Sequence, residues 1–363
     1  MKNVITNRQG MGLIVLIMSE TLVLGAAKEA ESDLWIALIL ALGVGVLFAL
    51  LYSWILSQYP GKNLYDILVI TMGRWLGSII VLFYVLYSLY VSAYILIDFV
   101  VFTNTVGLEA TPNVIIGAMV MVLVISALKK GIEVMGRWSE YFVIFILITS
   151  AITVILMFPM IEVNNLKPVL ANGWGPVLES AYGAITFPFA EIIVFMVILN
   201  TKMIKKEKDI YRIFVGGLLI GGIFVSVMLV VSFVELGHFA YMSSYFPVYA
   251  AISRISIGEV LQRIEIIPAI AFIMGDFMKI ALYVLVACEG VKKLAYVKNY
   301  KFIVTPICIF VLLLSLTMFD DIMDSINQLA NYNYIANFML GIIPATLAII
   351  TVIRTKFLHK NTS

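Results

Sequence analysis

Histidine and cysteine are nearly missing from this 363-residue chain, which holds two of each: His238, His359, Cys288 and Cys308. That scarcity argues against a histidine-based metal centre and a disulfide framework. Both cysteines fall in or beside apolar stretches without metal-ligand spacing and read as small buried hydrophobes. Charge is also scarce. Charged residues make up 13% of the chain, against about 25% in soluble domains. No glycine loop suited to phosphate, no nucleophile elbow and no metal cluster occurs, so no enzyme is expected and no cofactor. Basic residues come in short runs between apolar segments, which gives no reason to expect nucleic acid.

What the chain does have is apolar bulk. Hydrophobic residues reach 62%, where a soluble domain holds about 45–50%. A helix needs about 20 apolar residues to cross the hydrocarbon core. Ten segments meet or approach that length: 10–27, 34–57, 77–103, 112–128, 138–158, 178–200, 213–235, 266–290, 302–319 and 334–354. They use up the chain, so the expectation is an all-α integral membrane protein with a single membrane domain over 1–363. Lys2 and Arg8 precede the first apolar run, as in a signal peptide. Ser19-Glu20-Thr21 interrupts that run, so it reads as a retained first span.

Basic residues set the orientation. With the N-terminus inside, nineteen of the 24 Lys and Arg fall on inside segments, four fall outside, and Lys279 lies within a span. Both termini are therefore expected in the cytoplasm. Residues 246–262 (FPVYAAISRISIGEVLQ) are moderately apolar and follow the seventh span. They read as a helix at the outer surface, either interfacial or a lid.

Ionisable residues inside spans are costly and tend to face a cavity or a partner. Glu20, Glu191, Asp276 and Lys279 fall near the middle of spans one, six and eight at 1.5 Å rise per residue. Asp98 in span three lies nearer the outer end. Asp276 and Lys279 are spaced i, i+3, so a direct pair is expected. The spacing allows that pair, and the two residues are open to a structural ion-pair reading or to a role in ion or ligand binding. Glu191 follows Thr186-Phe187-Pro188-Phe189, and Pro188 cannot donate a backbone hydrogen bond. Ser19, Glu20 and Thr21, followed by Gly25, form a similar weak point in span one. Interrupted helices at matching positions of two halves point to a transporter-like site. Gly217 and Gly221 form a GxxxG in span seven and read as close packing.

Several stretches together resemble the endospore germination permeases, the B subunits of nutrient germinant receptors, within the amino acid–polyamine–organocation superfamily. They are Asp33-Leu34-Trp35-Ile36, residues 59–77 (YPGKNLYDILVITMGRWLG), Lys130-Gly131-Ile132-Glu133 with Arg137, Leu166-Lys167-Pro168 through Gly175-Pro176, Phe187 to Glu191, residues 252–265 (ISRISIGEVLQRIE), and Gly275 to Lys279 followed by Tyr300 to Pro306. The resemblance implies a LeuT-type fold. Its two inverted five-helix repeats would span about 8–158 and 178–354, with helices one and six broken and a cytoplasmic tail at 355–363. It makes residues 246–262 an extracellular loop helix. It implies the inner spore membrane or cell membrane, a small nutrient ligand (an amino acid above all), and a complex with an A-type membrane subunit and a C-type lipoprotein. The chain departs from the family pattern at two places. Met18-Ser19-Glu20 and Gly25 stand where a Gly-Thr-Gly-like turn and a proline are usual, and Asp276 stands where an apolar residue is usual.

On this reading Ser19, Glu20, Thr21, Thr186, Phe187, Pro188, Phe189 and Glu191 are the expected substrate-binding residues. Asp276, Lys279 and Asp98 are the expected ion or coupling residues, with Lys279 placing its ammonium where related transporters hold sodium. Three functions stay open: a nutrient-sensing receptor subunit, a proton-coupled amino-acid permease with Glu20 or Glu191 as proton carrier, and a structural scaffold without a ligand.

Overall fold

The computed structural model describes residues 5–199, 207–255, 265–318 and 329–360. Its order along the chain is α1 (Asn7–Ser19), α2 (Thr21–Leu24), a 3₁₀ segment (Lys28–Asp33), α3 (Leu34–Gln58), α4 (Leu64–Met72), α5 (Arg74–Val106), α6 (Asn113–Lys130), α7 (Ile132–Met157), α8 (Trp174–Ala184), α9 (Val194–Ile198), α10 (Glu207–Ser243), α11 (Pro247–Ser253), α12 (Ile266–Leu294), α13 (Lys301–Thr317), α14 (Leu329–Ala336) and α15 (Ile343–Lys360). Eight helical stretches among the described residues are long and apolar enough to cross a membrane. The first expected span is not among them because its ladder is interrupted at Glu20. The ninth falls short because α13 has 17 residues.

Helix α1 is the inner post. Thr6 and Gln9 cap it reciprocally, each side chain accepting from the other's backbone N–H at 3.2 Å, a capping box that holds the first turn. From Gly12 to Ser19 every residue is buried. A helix apolar on all sides belongs in the interior. Small residues let α10 close on it. A Cβ at Gly217 would sit 2.8 Å from Ile14, and one at Gly221 would sit 2.9 Å from the Met18 sulfur. The GxxxG pair of the seventh span is thus close packing. Helix α12 lies against α5, α1 and α7. Its Gly275 meets Ser19, where a Cβ would fall 2.4 Å from the hydroxyl oxygen.

Both expected breaks are present, with unequal depth. At the first, Glu20 keeps helical dihedrals (φ −58°, ψ −31°). Ser19 Oγ donates to the Leu16 carbonyl at 2.8 Å, and Val23 N–H donates to the Glu20 carbonyl at 2.8 Å. The chain leaves the helix at Gly25, whose φ of +79° suits a residue without a Cβ. The second break is sharper. Over Ile185–Phe189 the helix widens, and Phe187 takes extended dihedrals (φ −129°, ψ 107°) ahead of Pro188. A third irregular stretch, Asn337–Ile342, joins α14 to α15. Tyr52 donates to its Leu340 carbonyl at 2.5 Å and to the Ala190 carbonyl at 3.5 Å. Tyr84 donates to Met339 at 2.6 Å. Such donors satisfy backbone that no regular helix satisfies.

The loop between α3 and α5 holds one element the hydropathy pattern did not separate. Asn63 caps α4 by accepting from Asp66 N–H at 3.0 Å, a start signal legible in hindsight. The segment after α10, expected at the outer surface, is helical at Pro247–Ser253 and packs on α2 and α10. Its continuation over 256–264 lies outside the described residues, as do Lys202, Lys205 and Lys206 of the expected inside loop.

Gly275→Ala forces Ser19 Oγ off the Leu16 carbonyl inside a closed core. The expected loss is about 1–3 kcal/mol. Adding Ser19→Ala, which removes the colliding oxygen, recovers most of it; thermal unfolding of the purified protein reads both.

Candidate functional site

The two helix breaks and α12 meet at Lys279. Its side chain is fully buried, and its Nζ lies 2.9 Å from Glu20 Oε2 and 2.7 Å from Glu191 Oε2. The ammonium also sits 4.5 Å from the centre of the Phe187 ring. That ring is positioned by the extended backbone before Pro188, so the break aims an aromatic face at the charge. Glu191 is anchored from its other side, where Tyr332 of α14 donates to Oε1 at 2.9 Å. Tyr332 pairs in turn with the Tyr87 hydroxyl at 3.1 Å, and its ring stacks on Tyr87 and Tyr90.

These groups border a narrow cavity lined by Glu20, Leu24, Val91, Tyr94, Ile95, Phe187, Glu191, Lys279 and Tyr332. Its chemistry is one cation between two carboxylates, walled by apolar and aromatic side chains. Such a setting favours a small solute with charges of both signs, since every electrostatic contact is strengthened where water is excluded. Among the described residues no group of three or more His, Cys, Asp or Glu is placed to hold a metal ion.

The pairing differs from expectation in one respect. Asp276 does not pair with Lys279. Among the described residues the ion-pair partners of Lys279 are Glu20 and Glu191, and neither Asp276 oxygen has a hydrogen-bond partner. The i, i+3 spacing allows the pair, but a lysine side chain long enough to reach α1 and the sixth-span break finds two carboxylates there. Asp98 is buried, and its Oδ1 accepts from the Tyr245 hydroxyl at 3.0 Å.

Of the expected binding residues, Glu20, Phe187 and Glu191 come together around the cavity, joined there by Lys279, expected as an ion or coupling residue. The others do not line it. Ser19 faces Gly275. Thr21 is buried, with an unpartnered hydroxyl. Thr186 donates to the Gly183 carbonyl at 2.7 Å and to Asn333 Oδ1 at 3.0 Å. Pro188 and Phe189 are buried, and Phe189 packs against Gly45 of α3 and Gly222 of α10. Tyr332, Tyr94 and Val91 were missed, because aromatic or β-branched residues in an apolar span carry no mark of the face they present.

Lys279→Met leaves two buried carboxylates facing each other without a cation. Removing one member of a buried ionic cluster costs about 3–5 kcal/mol, read as a fall in thermal stability. The triple change Lys279→Met, Glu20→Gln, Glu191→Gln is expected to regain most of that loss, because no uncompensated charge remains.

Comparison with known proteins places this arrangement. A family model described as "Spore germination protein" matches residues 5–322. Spore germination protein KB of Bacillus subtilis (strain 168) is 30% identical over 322 residues, which cover 87% of this chain and 85% of that one. Spore germination protein A2 of the same organism is 25% identical over 286 residues, covering 78% and 76%. Among solved structures, a mutant of the Eremococcus coleocola manganese transporter matches with a TM-score of 0.65 at 14% identity, over 96% of this chain and 85% of that one. This last likeness concerns the fold alone. An all-helical multi-pass membrane chain on a transporter-like fold, matched by the family model over most of its length, this protein belongs to the family of spore germination proteins.

Proposed function

We propose that this chain is the transporter-like subunit of a nutrient germinant receptor, which binds a small zwitterion, an amino acid above all, between the two helix breaks and signals by changing conformation. The observation that carries the reading is the buried ammonium of Lys279 held by Glu20 and Glu191 at the wall of the cavity. In the ligand-free protein these three groups satisfy one another. An amino acid offers the same charges in exchange: its carboxylate takes Lys279 and its ammonium takes the glutamates. A neutral sugar offers no such exchange and leaves the ionic cluster as it is. Swapping internal pairs for ligand pairs loosens the joint between α1, the sixth-span break and α12. A ligand with different contacts in two states shifts the population between them.

The same reading takes the fold as two inverted five-helix repeats with ten spans, both termini in the cytoplasm and the inner spore membrane as its place. It assigns an A-type membrane subunit and a C-type lipoprotein as partners. The family membership and the transporter-like neighbour support it. A second reading, a proton-coupled amino-acid permease, draws on the same neighbour and on the buried carboxylates. Accumulation of amino acid in proteoliposomes under a pH gradient marks that reading, and binding without accumulation marks the sensor.

A thermal-shift screen of the purified protein against amino acids, sugars and nucleosides tests the proposal. An amino acid at a hundredfold excess over its Kd adds about 2.7 kcal/mol to the folded state. The expected result is a stabilising amino acid whose effect disappears in Glu191→Gln and in Lys279→Ala. Stabilisation by a sugar alone, or an amino-acid effect that survives both changes, overturns it.

A further inference from the structure

Asp276 is a buried carboxyl that the cavity does not use. It stands three residues before Lys279 on α12, is fully buried, and has no hydrogen-bond partner at either oxygen among the described residues. The charged groups that act on it are Glu20 from the α1–α2 break, Asp98 from α5 and Lys279 from its own helix. Asp98 is buried too; the Tyr245 hydroxyl meets its Oδ1 at 3.0 Å, and its Oδ2 has no hydrogen-bond partner among the described residues. Tyr94 of α5 also lies within electrostatic reach of Asp98. Lys279 is already committed to Glu20 and Glu191. With every one of these groups ionised, four carboxylates would share one ammonium in the interior.

A buried carboxylate without a donor is costly unless it is paired or neutralised. A metal ion needs several ligands, and among the described residues no cluster suited to one is found. A proton needs a single oxygen. We propose that Asp276 is a proton-binding site whose occupancy decides which carboxylates hold Lys279. With the proton on Asp276, the side chain is neutral and Lys279 stays with Glu20 and Glu191. When the proton leaves to water, the new carboxylate, one turn away on the same helix face, competes for the ammonium and repels Glu20. The joint between α1 and α12 then loosens. Tyr245 ties the neighbouring Asp98 to the segment leading into α11, so the outer helix is linked to the same acidic pair. The inference concerns proton occupancy of the ligand-free chain and stands whichever solute fills the cavity.

Infrared spectroscopy of the full chain in lipid nanodiscs, without ligand, tests it. The expected spectrum at neutral pH contains the carbonyl band of a neutral carboxylic acid. Isotope-labelled aspartate shifts that band in the unaltered protein, Asp276→Asn removes it, and Asp98→Asn and Glu191→Gln leave it in place. Thermal stability of the unaltered protein should fall as pH rises through the loss of the band, while Asp276→Asn stays flat. Absence of an aspartic-acid band at neutral pH overturns the proposal, as does its loss in Asp98→Asn while Asp276→Asn keeps it. Stabilisation by sodium at fixed pH that vanishes in Asp276→Asn would make the site one for sodium and overturns it equally. Where Asp276→Asn does not fold, the labelled Asp98→Asn protein decides: an aspartic-acid band that persists in it supports the proposal, and one that is lost overturns it.

Discussion

The ionic cluster at Lys279 is the constraint on which the centre of this molecule depends. A lone ammonium in that position would be prohibitive to bury, and so would either glutamate. Held within hydrogen-bond distance of one another, they become tolerable, and tying them together ties together three separate parts of the chain. Ion clusters of this kind contribute less to net stability than to the choice of one arrangement over others. Here the arrangement chosen is the one that brings both helix interruptions to the same point on α12.

The rest of the architecture is arranged so that those interruptions can exist. Irregular backbone inside an apolar bundle needs donors from elsewhere. Tyr52 and Tyr84 supply them to the Asn337–Ile342 stretch, and Tyr52 also reaches Ala190. Close approach is supplied by small residues: Gly217 and Gly221 against α1, and Gly275 against Ser19. Between loops, Asp33 receives the Leu170 N–H on both carboxylate oxygens at 3.0 Å. Arg254 stands 3.6 Å from Glu235, joining the end of α11 to α10. The bundle is therefore pinned above the cavity by polar contacts between loops and within it by charge.

Membership of the spore germination family and a fold shared with a transporter agree with this construction. A transporter fold offers a central site between interrupted helices. The cavity's wall sets a cation between two anions beside an aromatic ring.

Much of this was legible in the residues. Apolar length and sparse charge determined a helical membrane chain. Pro188 and the polar run Ser19-Glu20-Thr21 marked the interruptions, and Glu20, Glu191, Asp276 and Lys279 stood out as charges in the wrong solvent. These are local properties, set by composition and by what a proline or a carboxylate does to the helix that contains it. The partners of those charges were decided only by the tertiary structure. Spacing along one helix matched Lys279 with Asp276, but packing set it against Glu20, 259 positions away in sequence. Phe189 turned to α3 and α10 while Phe187 turned to the cavity, and Tyr332 arrived from the far end of the chain to hold Glu191. A side chain's reach is longer than one helical turn, so which of several buried charges it meets depends on how helices distant in sequence are brought side by side.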